Sequence, residues 1–259
     1  MQVSCFGEMV NPDHVLVFLH GFLGDTRDWQ RVIQVLLDSD PKILCISIDL
    51  PGHGGSKHYQ PETWKVLCED IMSEIKARAV SVDGLIGYSM GGRIATLLAV
   101  LFPESFRLLV LESSSFGIAD ASERRRRLDW ELSLNLSHVT TESSKREFLQ
   151  QWYRLSLFIG IEKTEGFQAM MERRMDQDFA AIEQGMRSTS VAFMPCLDHF
   201  LQKTDQNILY IYGELDQKYA DIATSLGTAA NVIGAADASH NVHLTNPSWF
   251  AGILAQNMG

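Results

Sequence analysis

A chain of 259 residues, 46% hydrophobic and 21% charged, has the size and balance of one large globular domain with room for an insertion. Its formal net charge of −10 is the wrong sign for a nucleic-acid partner, which needs a basic face. Cys5, Cys45, Cys68 and Cys196 show no C-x-x-C or Cys/His metal spacing, so neither a disulfide framework nor a metal site is expected.

The opening residues MQVSCFGE lack the basic head and apolar core of a signal peptide, and no apolar run approaches membrane-spanning length. A cytoplasmic protein without a membrane partner is expected. The first predicted strand, residues 14–19, is a continuous apolar run, as in strands covered on both faces. It runs into His20-Gly21-Phe22-Leu23-Gly24, a glycine-rich turn able to present a backbone N–H at Phe22. A helix over about 28–37 leads to a second buried strand at 43–48. The turn-forming loop Asp49-Leu50-Pro51-Gly52-His53-Gly54-Gly55-Ser56 follows, where His53 reads as structural.

Gly87-Tyr88-Ser89-Met90-Gly91-Gly92 sits between an apolar strand-like run (84–86) and a helical one (93–99). Strand, G-x-S-x-G, helix is the context of a nucleophile elbow, a turn too sharp for bulk at its flanks. It lifts Ser89 to the top of the sheet, where the N–H groups of Met90 and Phe22 would form an oxyanion hole. The three motifs H-G-F, D-L-P-G-H-G-x-S and G-Y-S-M-G-G together resemble the α/β-hydrolase superfamily. That resemblance implies a mostly parallel central sheet with helices on both faces, and a Ser–acid–His triad in that chain order. The acid should follow a late strand, read here at 206–212 and followed by G-E-L-D-Q-K-Y. Asp216 matches the superfamily's pattern, with Glu214 as its competitor. A short strand at 231–233 leads to Ser239-His240-Asn241-Val242-His243 and a final helix over about 247–256. His240 stands where the superfamily carries its base, and His243 is the alternative.

Residues 116–204 do not read as strand–helix–strand. Helical patterns at 121–136, 143–158, 164–177 and 179–193 suggest a helical cap inserted into a core made of residues 1–115 and 205–259. The cap holds 12 of the chain's 22 basic residues, including the runs Arg124–Arg127 and Arg173–Arg174. With Arg93 in the elbow helix, these favour a small anionic substrate, because guanidinium groups pair with carboxylates in a bidentate fork.

G-Y-S-M-G-G-R-I-A, the arginine-rich start of the cap, Gln151-Trp152-Tyr153, G-E-L-D-Q-K-Y and S-H-N-V-H-L-T-N-P closely resemble the 2-succinyl-6-hydroxy-2,4-cyclohexadiene-1-carboxylate synthases of menaquinone biosynthesis. The resemblance implies Ser89, Asp216 and His240 as triad, with Tyr88 and Arg93 flanking the nucleophile. It implies Arg127 and Arg174 as carboxylate ligands from the cap, and Trp152 as a surface packed on the substrate. Arg124 and Arg173 are the alternatives within their runs. Ser239 departs from the glycine usual before the histidine. The implied reaction is elimination of pyruvate from a substrate carrying an enolpyruvyl ether, with no metal or organic cofactor and a monomeric enzyme. A carboxylesterase or thioesterase-like hydrolase using the same triad, and a non-catalytic binding protein on the same scaffold, are the other readings.

Overall fold

The structure is a computed structural model that describes residues 1–258. Strands β1 (Val3–Gly7), β2 (His14–Leu19), β3 (Ile43–Ile48), β4 (Val82–Tyr88), β5 (Phe106–Glu112), β6 (Asn207–Gly213) and β7 (Asn231–Ala235) form one sheet in the order β1-β3-β2-β4-β5-β6-β7. Every neighbouring pair is parallel except β1 with β3. The strand at 14–19 is therefore the second in the chain, not the first. β1 is a half-exposed edge strand of mixed composition, VSCFG, and offers no apolar run to detect.

The central strands are apolar on both faces because helices cover both. Val17, Leu19, Ile46, Leu85 and Leu111 face one core cluster, built with α2 (Trp64–Lys76) and α3 (Met90–Leu101). Leu16, Phe18, Cys45, Ile86 and Val110 face the other, built with α1 (Gln30–Ser39) and, near the C-terminus, α11 (Pro247–Asn257). Alternate residues of one strand thus feed opposite cores, as the two-residue side-chain period of a strand requires. The helix expected from residue 28 starts at Gln30, because Thr26–Trp29 forms a tighter 3-10 turn capped by Asp25.

Between β5 and β6 the chain forms helices and no strand: α4 (Ala121–Ser133), α5 (Glu142–Trp152), α6 (Phe167–Met175), α7 (Phe179–Thr189) and α8 (Asp198–Lys203). Four of the helices overlap their expected patterns and end short of them, α5 starting one residue earlier than expected, and α8 lies outside those patterns. α4 stops where Asn135 takes a left-handed conformation, and α7 where Ser190 turns extended. Asp120, Thr141 and Asp178 cap α4, α5 and α7 with their side-chain oxygens. These helices bury Leu149, Tyr153, Phe158 and Phe179 against Leu23 and Leu244, which follow the C-terminal ends of β2 and β7. The remaining helices are α9 (Gln217–Leu226) and α10 (Val242–Thr245). Among the described residues, no helix is long and apolar enough to cross a membrane.

Candidate active site

β4 delivers Ser89 into a turn with φ 51° and ψ −106°, a backbone strain of about 1–3 kcal/mol that the surrounding packing must hold. The packing leaves no choice at the flanks. A Cβ on Gly87 would lie 2.5 Å from the Gly91 carbonyl oxygen, and one on Gly91 2.3 Å from that of Leu19. The Ser89 N–H donates to the Glu112 carbonyl at 2.8 Å, tying the elbow to the end of β5. Met90 opens α3, so its N–H is among the unpaired donors of a helix N-terminus.

Asp216 ends the turn after β6 as the N-cap residue of α9, and His240 lies in the loop before α10. His240 Nδ1 is 2.7 Å from Asp216 Oδ2, and its Nε2 is 3.0 Å from Ser89 Oγ. A neutral ring donating from Nδ1 and accepting at Nε2 satisfies both contacts. Burial holds the His240 pKa below the ordinary value, opposed by its bond to Asp216. Tyr219, Tyr88 and Phe158 pack around the ring, and its backbone N–H donates to Leu157 O at 3.0 Å. Glu214, the competing acid, is exposed. His243, the competing base, is bound through Nδ1 to the buried carboxylate of Glu112 at 2.7 Å, on the far side of Tyr88.

The loop after β2 is stapled from below by two buried histidines. His20 Nε2 accepts from Leu50 N–H at 2.9 Å, and His53 Nε2 accepts from Leu23 N–H at 3.1 Å. Burial lowers the His53 pKa to about 3, so it serves this loop as a neutral acceptor. Phe22, next to Leu23, reaches the cavity and packs against Trp152 at 5.1 Å between ring centroids.

A cavity of about 540 Å³ opens above Ser89, walled by the core on one side and by α4, α5 and α7 on the other. Ser89, Met90, Tyr88, Phe22, Trp152 and His240 all line it. So do three cations, Arg93, Arg127 and Lys218, and one carboxylate, Glu131. Arg93 is 8% exposed and, among the described residues, forms no ion pair and leaves Nε without a partner. Burial lowers its pKa to about 10, with the nearby Arg127 adding to the drop and Tyr219 and Glu131 opposing it. The cavity can therefore combine a nucleophile–base–acid chain with recognition of anionic groups. Among the described residues, no group of three or more His, Cys, Asp or Glu could hold a metal ion.

A family model described as "Alpha/beta hydrolase family" matches residues 16–253. The 2-succinyl-6-hydroxy-2,4-cyclohexadiene-1-carboxylate synthase of Enterobacter sp. (strain 638) is 33% identical, over 93% of this chain and 90% of that protein. The protein of the same name from Serratia proteamaculans (strain 568) is 30% identical, over 92% and 91%. The solved structure of MenH from S. aureus has a TM-score of 0.85 at 26% identity, covering 99% of this chain and 97% of that one. The chain belongs to the 2-succinyl-6-hydroxy-2,4-cyclohexadiene-1-carboxylate synthase family.

Within this synthase family member, one expected ligand is elsewhere. Arg174 does not face the cavity: its guanidinium is 1% exposed and grips Asp28 with two bonds of 2.8 and 2.6 Å. A further bond of 3.2 Å reaches the Tyr153 hydroxyl. Arg173, the alternative, reaches the same carboxylate at 3.2 Å. The physical cause is Asp28, a carboxylate buried in the 3-10 turn before α1, which needs a counter-charge more than a distant ligand does. Arg127 lines the cavity, whereas Arg124 donates to the Ile118 carbonyl and does not. Sequence reasoning also passed over Lys218 and Glu131. Lys218 was visible as the last cation of G-x-x-D-x-K, but a glutamate in a charged helix gives no signal of burial.

Proposed function

We propose that this synthase family member is a carbon–oxygen lyase. It eliminates pyruvate from 2-succinyl-5-enolpyruvyl-6-hydroxy-3-cyclohexene-1-carboxylate to give 2-succinyl-6-hydroxy-2,4-cyclohexadiene-1-carboxylate in menaquinone biosynthesis. The observation that carries the reading is Arg93, a buried and unpaired guanidinium lining the cavity that contains the Ser89–His240–Asp216 chain. A neutral substrate would leave that charge desolvated without compensation.

In the proposed mechanism Asp216 orients His240, and His240 draws the proton from Ser89 as Ser89 takes a ring proton from the substrate. The electron pair left on carbon moves into the ring, and the ring C–O bond to the enolpyruvyl group breaks. The departing enolate takes up a proton to become pyruvate. The N–H groups of Phe22 and Met90 hold the charge that develops on the succinyl carbonyl oxygen. Tyr88 and Trp152 shape the cavity wall, and residues 116–204 act as the cap over it. Arg93 and Arg127 receive two of the three substrate carboxylates, and Lys218 supplies the third cation in place of Arg174. No cofactor is required by these steps, and the enzyme acts as a cytoplasmic monomer whose partner is its polycarboxylate substrate.

The test is to supply the enolpyruvyl substrate and measure pyruvate. Ser89→Ala and His240→Ala should each lower kcat by about 10³-fold or more, roughly 4 kcal/mol, with the double variant little worse because the pair acts as a unit. Near-normal pyruvate release by Ser89→Ala rejects the mechanism. A serine carboxylesterase would instead turn over p-nitrophenyl acetate efficiently while releasing no pyruvate.

A further inference from the structure

A cavity that receives carboxylates should not carry one in its wall, yet Glu131 lines it and is only 4% exposed. It is the one buried residue of α4. Its two oxygens are both engaged. Oε1 accepts from Arg127 Nε at 2.6 Å, one helical turn away, and Oε2 accepts from the Ser190 hydroxyl. Ser190 Oγ in turn accepts from the Ala192 N–H at 3.0 Å, so the chain of bonds ends on backbone. The face of the Arg127 guanidinium rests on Trp130, with Cζ 4.6 Å from the ring centroid. One edge and one face of the guanidinium are thus occupied, and Nη1 and Nη2 have no partner among the described residues. That free end is the fork that pairs two-to-two with a carboxylate.

We propose that Glu131, anchored by Ser190, is a positioning residue that aims the Arg127 fork into the cavity. The proposal rests on the lyase reading and assigns the orientation of one of its carboxylate ligands. The neighbours of Arg127 show the alternative fate. Arg125 and Arg126, on the same helix, pair only with the exposed carboxylates of Asp129 and Glu123, and their side chains stay 79% and 68% exposed. A flexible arginine loses much rotamer freedom when it binds, and fixing it beforehand removes that cost.

Glu131→Gln separates positioning from plain electrostatics, because the two give opposite signs. Charge alone says that deleting a carboxylate from an anion site tightens substrate binding and lowers KM. Positioning says that KM for the enolpyruvyl substrate rises about 5–20-fold while kcat changes less than about 3-fold. The effect must also vanish where there is no arginine to aim: Glu131→Gln added to Arg127→Ala should change KM by less than about 2-fold. Ser190→Ala, which removes the anchor and leaves Glu131 itself in place, should raise KM about 2–5-fold and be equally silent over Arg127→Ala. It decides the matter if Glu131→Gln does not fold, as read from its thermal transition.

Three outcomes overturn the proposal: an unchanged or lowered KM in Glu131→Gln, the same loss with and without Arg127, or a wild-type KM in Arg127→Ala. Each leaves the lyase reading standing, provided that the unmutated protein releases pyruvate. Absence of pyruvate release from the unmutated protein removes that reading and this proposal together.

Discussion

Helices α4 and α6 each carry adjacent arginines, at 124–127 and 173–174, and these end in opposite environments. Arg127 on α4 and both arginines of α6 meet a buried carboxylate, so the presence of an acid is not what separates the helices. Asp28 comes from the core and takes the Arg174 fork with both oxygens, leaving the guanidinium buried and spent. Glu131 comes from the same helix as Arg127, reaches only Nε, and leaves the outer nitrogens free. An arginine whose fork is consumed fastens α6 to the turn before α1, and one whose fork is spared can recognise a ligand. Around α6 the fastening is reinforced: Gln177 donates to Asp25 Oδ2 at 2.8 Å and accepts from Gly54 N–H at 2.9 Å. No comparable bond joins α4 to the sheet core among the described residues.

The sharpest way to break this contrast is at Asp28. Asp28→Asn leaves the Arg174 cation buried without its counter-charge, and should cost about 3–5 kcal/mol of stability, measured by urea unfolding. The Arg127→Ala change on the other helix leaves Glu131 with its Ser190 bond alone, and should cost less, about 1–2 kcal/mol. If Asp28→Asn costs no more stability than Arg127→Ala, the distinction between fastening and recognition fails.

Activity should show the reverse order. Arg127→Ala and Arg93→Ala are each expected to lower kcat/KM for the anionic substrate about 10–100-fold, or about 1.4–2.7 kcal/mol. Weak hydrolysis of p-nitrophenyl acetate should be nearly indifferent to both. Lysine at either position should rescue only in part, since it keeps the charge and loses the fork. Equal losses on the neutral ester and the anionic substrate would mean that these side chains support the site's shape and not its recognition of carboxylates.

The smallest effect concerns the seat of α6, where the loop bearing His53 meets Gln177. His53 has a folded pKa of about 3, below its ordinary 6.5, through burial and the nearby His20 and Arg174. A depressed histidine favours the folded state fully above about pH 6.5, and its contribution is lost as pH falls from there toward 3. At pH 5.5 this one group should cost about 1.3 kcal/mol relative to pH 7. Replacing His53 with Gln should flatten that part of the stability–pH curve, read from thermal midpoints at several pH values. An unchanged slope would assign the acid sensitivity to other groups.

Much of the site's architecture was legible because local physics demands particular residues there. The elbow cannot be made without glycine at 87 and 91, where any Cβ strikes backbone, so its motif survives in a single sequence. Buried parallel strands announce themselves as unbroken apolar runs, which exposed the sheet but not its edge strand β1. The helical segments were visible from their periodicity, while their ends were set by turns at Asn135 and Ser190 that periodicity does not encode.

What the sequence by itself determined is therefore the nucleophile turn, the parallel core, and the residue types and chain order that the family pattern requires. Only the tertiary structure decided which charges face each other. Asp28, Glu131, Arg127 and Arg174 look alike in sequence as surface charges on helices or turns. Whether an arginine is a ligand or a rivet depends on a carboxylate brought to it across 146 positions of chain, as with Asp28 and Arg174. It depends equally on whether that carboxylate occupies the fork or only its inner edge. Such pairings are long-range, directional and steep in distance, and no local pattern of hydrophobicity or turn chemistry carries them.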